Sequence, residues 1–120
     1  ARRPRRRRPT VRPDREGRMM KAIILLTRRD DMGHDEFVDW WLGQHRGLAE
    51  QLPRLRRAVF NVVDDPEPGA PDGVSELWFD SLDDFQSAYA SEIGQRVVDD
   101  SMANVAGRVR MFVDEHVIAD

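Results

Sequence analysis

The sequence has 120 residues and no cysteine, a length for one domain and a composition that excludes disulfides, thiolate metal sites and thiol nucleophiles. Its net charge of −3 divides unevenly: residues 1–18 hold nine arginines against Asp14 and Glu16, a net +7, while the other 102 residues carry ten Lys and Arg against twenty Asp and Glu, a net −10. The acidic body is a poor match for nucleic acid or an anionic membrane, and no apolar run approaches the roughly 20 residues that span a bilayer.

Residues 1–18 are dense in Arg and Pro, lack hydrophobic periodicity and predict a disordered tail. Two readings fit it. One is an arm for nucleic acid or an acidic partner; the other, preferred here, is sequence lying upstream of a natural start at Met19 or Met20. Residues 19–120 form the expected domain. Lys21–Thr27 is a short apolar run without polar alternation and reads as a central strand covered on both faces.

A polar turn, Arg28–Met32, leads into the most informative stretch, a helix over His34–Leu52. At helical period Phe37, Trp41, His45, Leu48 and Leu52 share one stripe, while Asp35, Asp39, Arg46 and Glu50 face water. Asp35 and Glu36 in the first turn complement the positive end of the helix dipole. Gly43 and Gly47 each cost about 1 kcal/mol relative to alanine and predict a bend or break near His45. Pro53 ends the helical region.

Leu55–Val63 reads as a second strand, with Ala58, Phe60 and Val62 on one face and Val59, Asn61 and Val63 on the other. Asp64–Asp72 is a Pro-rich loop. Gly73–Ser81 is a third strand; Val74, Glu76 and Trp78 share a face, and Ser75, Leu77 and Phe79 the opposite one. Ser81 caps a helix with a Leu82, Phe85 and Tyr89 stripe, which Ser91–Gly94 interrupts. A further helix over Gln95–Ala106 carries Val98, Met102 and Val105 at helical spacing, and Gly107 closes it. Arg108–Ile118 is the last strand.

The order is β-α-β-β-α-β. It predicts a ferredoxin-like α+β fold, a four-stranded antiparallel sheet with its helices on one face. The strands are apolar on both sides, so the other face needs a cover, and a symmetric homodimer packed sheet to sheet supplies one. A domain this small gains from such association.

Several segments carry a resemblance: EFVDWWLGQH (Glu36–His45), LPRLRR (Leu52–Arg57), DGVSELWFDSLDDF (Asp72–Phe85) and DEHVI (Asp114–Ile118). From Met20 to Ile118 the chain resembles the EthD family of the dimeric α+β barrel superfamily. Three positions depart from that pattern: Gly47 replaces a usual proline, Arg54 a usual glycine and Ala58 a common aromatic. The resemblance implies a dimeric barrel with a cavity between the first helix and the sheet. The founding member is associated with degradation of ethyl tert-butyl ether, and related barrels include isomerases, cyclases, cofactor-free monooxygenases and haem-degrading enzymes. Fold alone does not choose among them.

His45 and Glu76 are the candidate catalytic groups. An imidazole on an apolar helix face suits general acid–base work, and a mid-strand carboxylate needs a partner, either His45 or an arginine such as Arg110 or Arg57. Trp41, Phe60, Asn61, Trp78 and His116 are candidate ligand-binding residues, with Tyr89 as a further aromatic wall. The acidic pairs Asp30–Asp31, Asp64–Asp65, Asp83–Asp84 and Asp99–Asp100 read as solvated, and His34 as exposed. No phosphate loop, metal motif or nucleophile elbow appears. The expectation is a cytoplasmic homodimer that binds a small apolar or aromatic metabolite and acts without a cofactor. A haem barrel with His45 as axial ligand and a non-catalytic accessory protein are the alternatives.

Overall fold

The computed structural model describes residues 19–120, so the predicted tail lies outside the described residues. Strand β1 (Met20–Arg28) is followed by a helical rod of three parts: α1 (His34–Trp40), a π-helical turn (Trp41–His45) and α2 (Arg46–Ala49). Then come β2 (Arg57–Val62), β3 (Gly73–Phe79), α3 (Leu82–Ala90), α4 (Glu92–Asn104) and β4 (Val105–Val113). The four strands form one antiparallel sheet in the order β2-β3-β1-β4, the ferredoxin-like arrangement.

The expected break near His45 is a wider turn. The backbone stays right-handed helical through Trp41, His45 and Arg46, and Gly43 sits in the middle of the π-helical segment. Such turns are rare and concentrate at functional positions. The rod starts with Glu36 Oε1 accepting from the Gly33 backbone N–H at 3.0 Å. It stops short of Leu52, which is nevertheless buried.

The second half of the chain departs from the sequence reading in three ways. Ser91 is a single-residue hinge, whose Oγ accepts from the Gly94 N–H at 3.1 Å, so α4 begins at Glu92. Gly94 belongs to that helix because the α3 backbone at Tyr89 passes where a side chain would stand. Helix α4 ends at Asn104, and Val105, Ala106 and Gly107 are strand, paired with the end of β1 across a register shift. Finally, α4 is rotated relative to its apolar spacing. Val97 and Ser101 are buried, whereas Met102 is 65% exposed.

All helices cover one face of the sheet. There Ala22, Ile24 and Leu26 of β1 and Leu77 and Phe79 of β3 meet Phe37, Trp41, Phe85, Ala88 and Val97. Gly73 is essential to this layer: a Cβ built on it would stand 2.5 Å from the Trp41 ring. Trp41 in turn stacks on Phe60, with ring centroids 4.4 Å apart and planes within 4°. The opposite face carries Ile23, Leu25, Val74, Trp78, Val109 and Met111, none of them fully buried. Central strand β1 is therefore covered on one side within the protomer. No helix among the described residues is long and apolar enough to cross a membrane.

Candidate active site around His45

The π-helical turn delivers His45 to the layer between helices and sheet, where it is 5% exposed. Its Nδ1 lies 2.9 Å from Asp100 Oδ2, a carboxylate on α4 whose side chain is 8% exposed. The same carboxylate accepts from the Trp40 indole at 3.1 Å and from the Gln44 amide at 2.5 Å. Three donors converge on it, so Nδ1 is the protonated nitrogen of His45 and Nε2 keeps its lone pair. The Ser101 hydroxyl donates to Nε2 over a long 3.4 Å. The imidazole is also held between the Trp40 ring, 4.9 Å away, and Phe60, 6.3 Å away.

Burial pushes His45 below the usual histidine pKa; the Asp100 hydrogen bond and charge oppose this, and the charge of Arg108 reinforces it. The result is a neutral imidazole with an oriented, unprotonated Nε2. His45 lines a cavity of about 20 Å³ together with Ser75, Tyr89, Ser101 and Arg108, and Ser101 is the residue that Nε2 meets. That volume holds one water-sized group. Burial pushes the Tyr89 phenol up, against the pull of Arg108 and Arg110. A wider groove of about 590 Å³ opens outward between the rod and β2, lined by Leu42, Arg46, Leu55, Arg57 and Ala58. Ala49 and Phe60 border both spaces, so the groove leads to the wall behind which Nε2 lies.

The remaining sequence candidates divide between two places. Trp41 and Phe60 join His45. Glu76, Asn61 and Trp78 lie on the uncovered face of the sheet, so Glu76 does not orient His45. Its direct partner is Lys21 at 2.8 Å, with the charge of Arg57 acting from farther off, and Asn61 Nδ2 donates to it at 3.1 Å. The Lys21 and Asn61 hydrogen bonds hold Glu76 below the usual carboxylate range. Lys21 and Arg57 both lie over the Trp78 ring, at 4.7 and 5.0 Å from its centroid. His116 is far out on the segment after β4, with its side chain 69% exposed and Asp114 as its neighbour at 3.3 Å.

Two corrections concern charge. Asp100 is buried in the site, against the expectation of a solvated Asp99–Asp100 pair; it falls three positions after Val97, on the buried side of α4. His34 is half-buried rather than exposed: its Nδ1 lies 2.8 Å from Asp72, a loop-end carboxylate only 1% exposed. Burial pulls Asp72 up, but hydrogen bonds from the Arg28 backbone, His34 and the Arg28 guanidinium outweigh it and hold Asp72 low. Sequence reasoning also missed Ser101 and Arg108. Ser101 comes to His45 through the packing of α4 on the rod and Arg108 through the pairing of β4 with β1, neither of which a single element's pattern contains. Among the described residues no cluster of three or more potential metal ligands occurs.

Residues 29–108 match the EthD domain. The chain belongs to the EthD family. An EthD family protein from Bacillus halodurans superposes with a TM-score of 0.70 at 20% identity, covering 82% of this chain and 100% of the other. A dimeric ferredoxin-like protein of unknown function from Thermobifida fusca gives 0.67 at 18% identity, covering 82% and 92%. SnoaB, a cofactor-independent oxygenase from Streptomyces nogalater, gives 0.65 at 12% identity, covering 85% and 98%. At these identities the likeness is one of fold. No curated protein matches the chain.

Proposed function

We propose that this EthD protein is a homodimer that binds a small apolar or aromatic metabolite against its first helix and acts on it by acid–base chemistry at His45, without a cofactor. One observation carries the reading: His45 is buried, locked by Asp100 in the tautomer that leaves Nε2 unprotonated, and lines a cavity beside an outer groove. A general base needs that combination of fixed orientation and an available lone pair. In the reaction Nε2 takes a proton from the ligand, and Asp100 stabilises the imidazolium that forms. The proton then returns to another ligand atom in an isomerisation, or the carbanion forms a C–O bond to dioxygen, which is reduced to a peroxide that takes the His45 proton as a hydroperoxide. The groove volume lies in the range that small-molecule sites occupy.

Glu76 has no part in that step, since Lys21 and Asn61 occupy it on the other side of the sheet. Haem fits poorly at His45, because Ser101 stands 3.4 Å from the only nitrogen that could ligate iron and the space there is about 20 Å³. The homodimer is supported by the apolar uncovered face and by dimeric ferredoxin-like neighbours. Native mass spectrometry of gently purified protein tests both halves. The expected species is a dimer carrying a small organic mass, and His45→Gln should keep the dimer and the ligand while abolishing turnover. A ligand that remains unchanged with the wild-type protein would make this a carrier; a monomer would remove the dimer.

A further inference from the structure

Arg108 is the one charged group in the His45 cavity without a counter-charge. Among the described residues Arg28, Arg29, Arg46, Arg54, Arg56 and Arg96 all lie within 4.0 Å of a carboxylate. Arg57 lies over Trp78, and Arg110 over Phe85 and Phe112. Among the described residues Arg108 has neither an acidic partner within ion-pair distance nor a ring beneath it, although the body of the chain has twice as many acids as bases. It sits on β4 opposite Leu26, on the helix-covered side, and lines the cavity with Nε2 of His45. No Asp or Glu lines that cavity; its other polar groups are the hydroxyls of Ser75, Tyr89 and Ser101. A half-buried guanidinium among hydroxyls and no carboxylate is a receptor for negative charge.

We infer that Arg108 is an oxyanion subsite, and that the site takes ligands whose oxygen is conjugated to a π-system and becomes anionic there, a phenol or an enolisable carbonyl. The inference rests on the reading of the His45 cavity as the ligand site and assigns its substrate class. On this reading the ring takes the outer groove and its oxygen the cavity, on either side of Ala49 and Phe60, the two residues that line both spaces. When Nε2 of His45 removes a proton from the ligand, the electron pair of the broken bond moves onto that oxygen. The proton stays on His45 as imidazolium beside Asp100, and Arg108 holds the oxyanion. No oxidant is consumed in this step. The charged groups that act on His45 are Asp100 from α4 and Arg108 from β4, and the Tyr89 phenol from α3 lines the same cavity in its neutral form.

The probes are 4-nitrophenol, whose phenolate absorbs in the visible, and nitrobenzene, its neutral counterpart. Wild-type protein should lower the apparent pKa of bound 4-nitrophenol by at least about one pH unit, as a cation does for a neighbouring acid. Arg108→Met should weaken phenolate binding at least about tenfold, the scale of a charge-assisted hydrogen bond, and leave nitrobenzene within about twofold. Arg108→Lys keeps the charge and should retain part of the pKa effect. The wild-type titration needs no variant, so a poorly folded Arg108→Met does not block the test. If both probes bind but the bound phenol titrates as it does in water, the oxyanion subsite is wrong and the apolar site stands. If neither probe binds, the His45 ligand site falls, and this inference falls with it.

Discussion

On the helix-covered face of the sheet, Asp100 takes three hydrogen bonds from Trp40, Gln44 and His45 and is nearly dry. On the uncovered face, Glu76 meets Lys21 and Asn61 and keeps a quarter of its side-chain surface in contact with solvent. Both carboxylates sit among apolar neighbours, yet only the first is coupled to an imidazole whose second nitrogen, held by no more than a long bond from Ser101, is unprotonated. The second neutralises a lysine on a surface that a second copy would cover. The contrast separates a polar network that prepares a reacting nitrogen from one that makes an apolar face tolerable to charge. It is also reason to look for chemistry on one side of this sheet and association on the other.

The hardest test of that division is Asp100→Ala. Three buried donors would lose their acceptor together, and removing one partner of such a network costs about 3–5 kcal/mol. Urea unfolding should show the midpoint falling accordingly, and NMR titration should find His45 shifted further down, because Asp100 is what raises it. A loss below about 1 kcal/mol would mean that water replaces the carboxylate, and the network would not be the organiser of this face. Next in size is Gly73→Ala. The added methyl meets the Trp41 ring, which cannot retreat because Phe60 lies stacked behind it. Overpacking of this kind costs about 1–3 kcal/mol, read in the same unfolding experiment. No comparable penalty is expected on the uncovered face.

Trp41, His45 and the strands were legible because their signal is periodic and local. The apolar stripe from Phe37 to Leu52 needs only the helical repeat, and the strand order follows from lengths and turns. The site was half legible. Glu76 and His45 look alike in the sequence, each a lone titratable group among apolar residues. Which face of β3 meets the helices is not encoded in its alternation, since both faces are apolar. Asp100 and Ser101 were hidden for a different reason. Val98, Met102 and Val105 outline a plausible apolar stripe on α4, but the helix turns its Val97 and Ser101 side inward and leaves Met102 in solvent. Pairing Asp100 with the His45 imidazole satisfies polar groups that the apolar stripe would have left dry and alone. That gain is tertiary and has no trace in one helix.

The two faces should also unfold in different pH ranges. His45 has a folded pKa held below its unfolded value of about 6.5, so the unfolded chain binds the extra proton first. Its contribution is complete above that value and is lost as pH falls from there through the folded pKa. Glu76 has a folded pKa held below its unfolded value of about 4.3, so its contribution is lost only as pH falls through the carboxylate range. Asp72, Asp80 and Asp31 are also held low and act in that same lower range. His45→Gln should remove the upper step from a plot of stability against pH, and Glu76→Gln should reduce the lower one. If His45→Gln leaves the upper step intact, some other group titrates there and the covered face is not the source.

The smallest expected effect lies in the loop that joins the rod to β2, away from both networks. Arg54 has φ of +66°, a left-handed conformation that favours glycine. A side chain there costs about 1–2 kcal/mol, and glycine returns about 0.5–1 kcal/mol of that through the extra freedom of its unfolded chain. The Arg54–Asp84 pair that would be lost is 3.6 Å long with its arginine mostly in water, so it offsets little. Arg54→Gly should therefore stabilise by about 0.5 kcal/mol, or about 2–4 °C in Tm for a domain of this size. The sign matters more than the size. A gain would show that this chain tolerates strain where no function depends on it, which sets the scale for reading the losses at Asp100 and Gly73. A drop would mean that the ion pair to α3 fixes the approach to the outer groove, and the loop would then belong to the site.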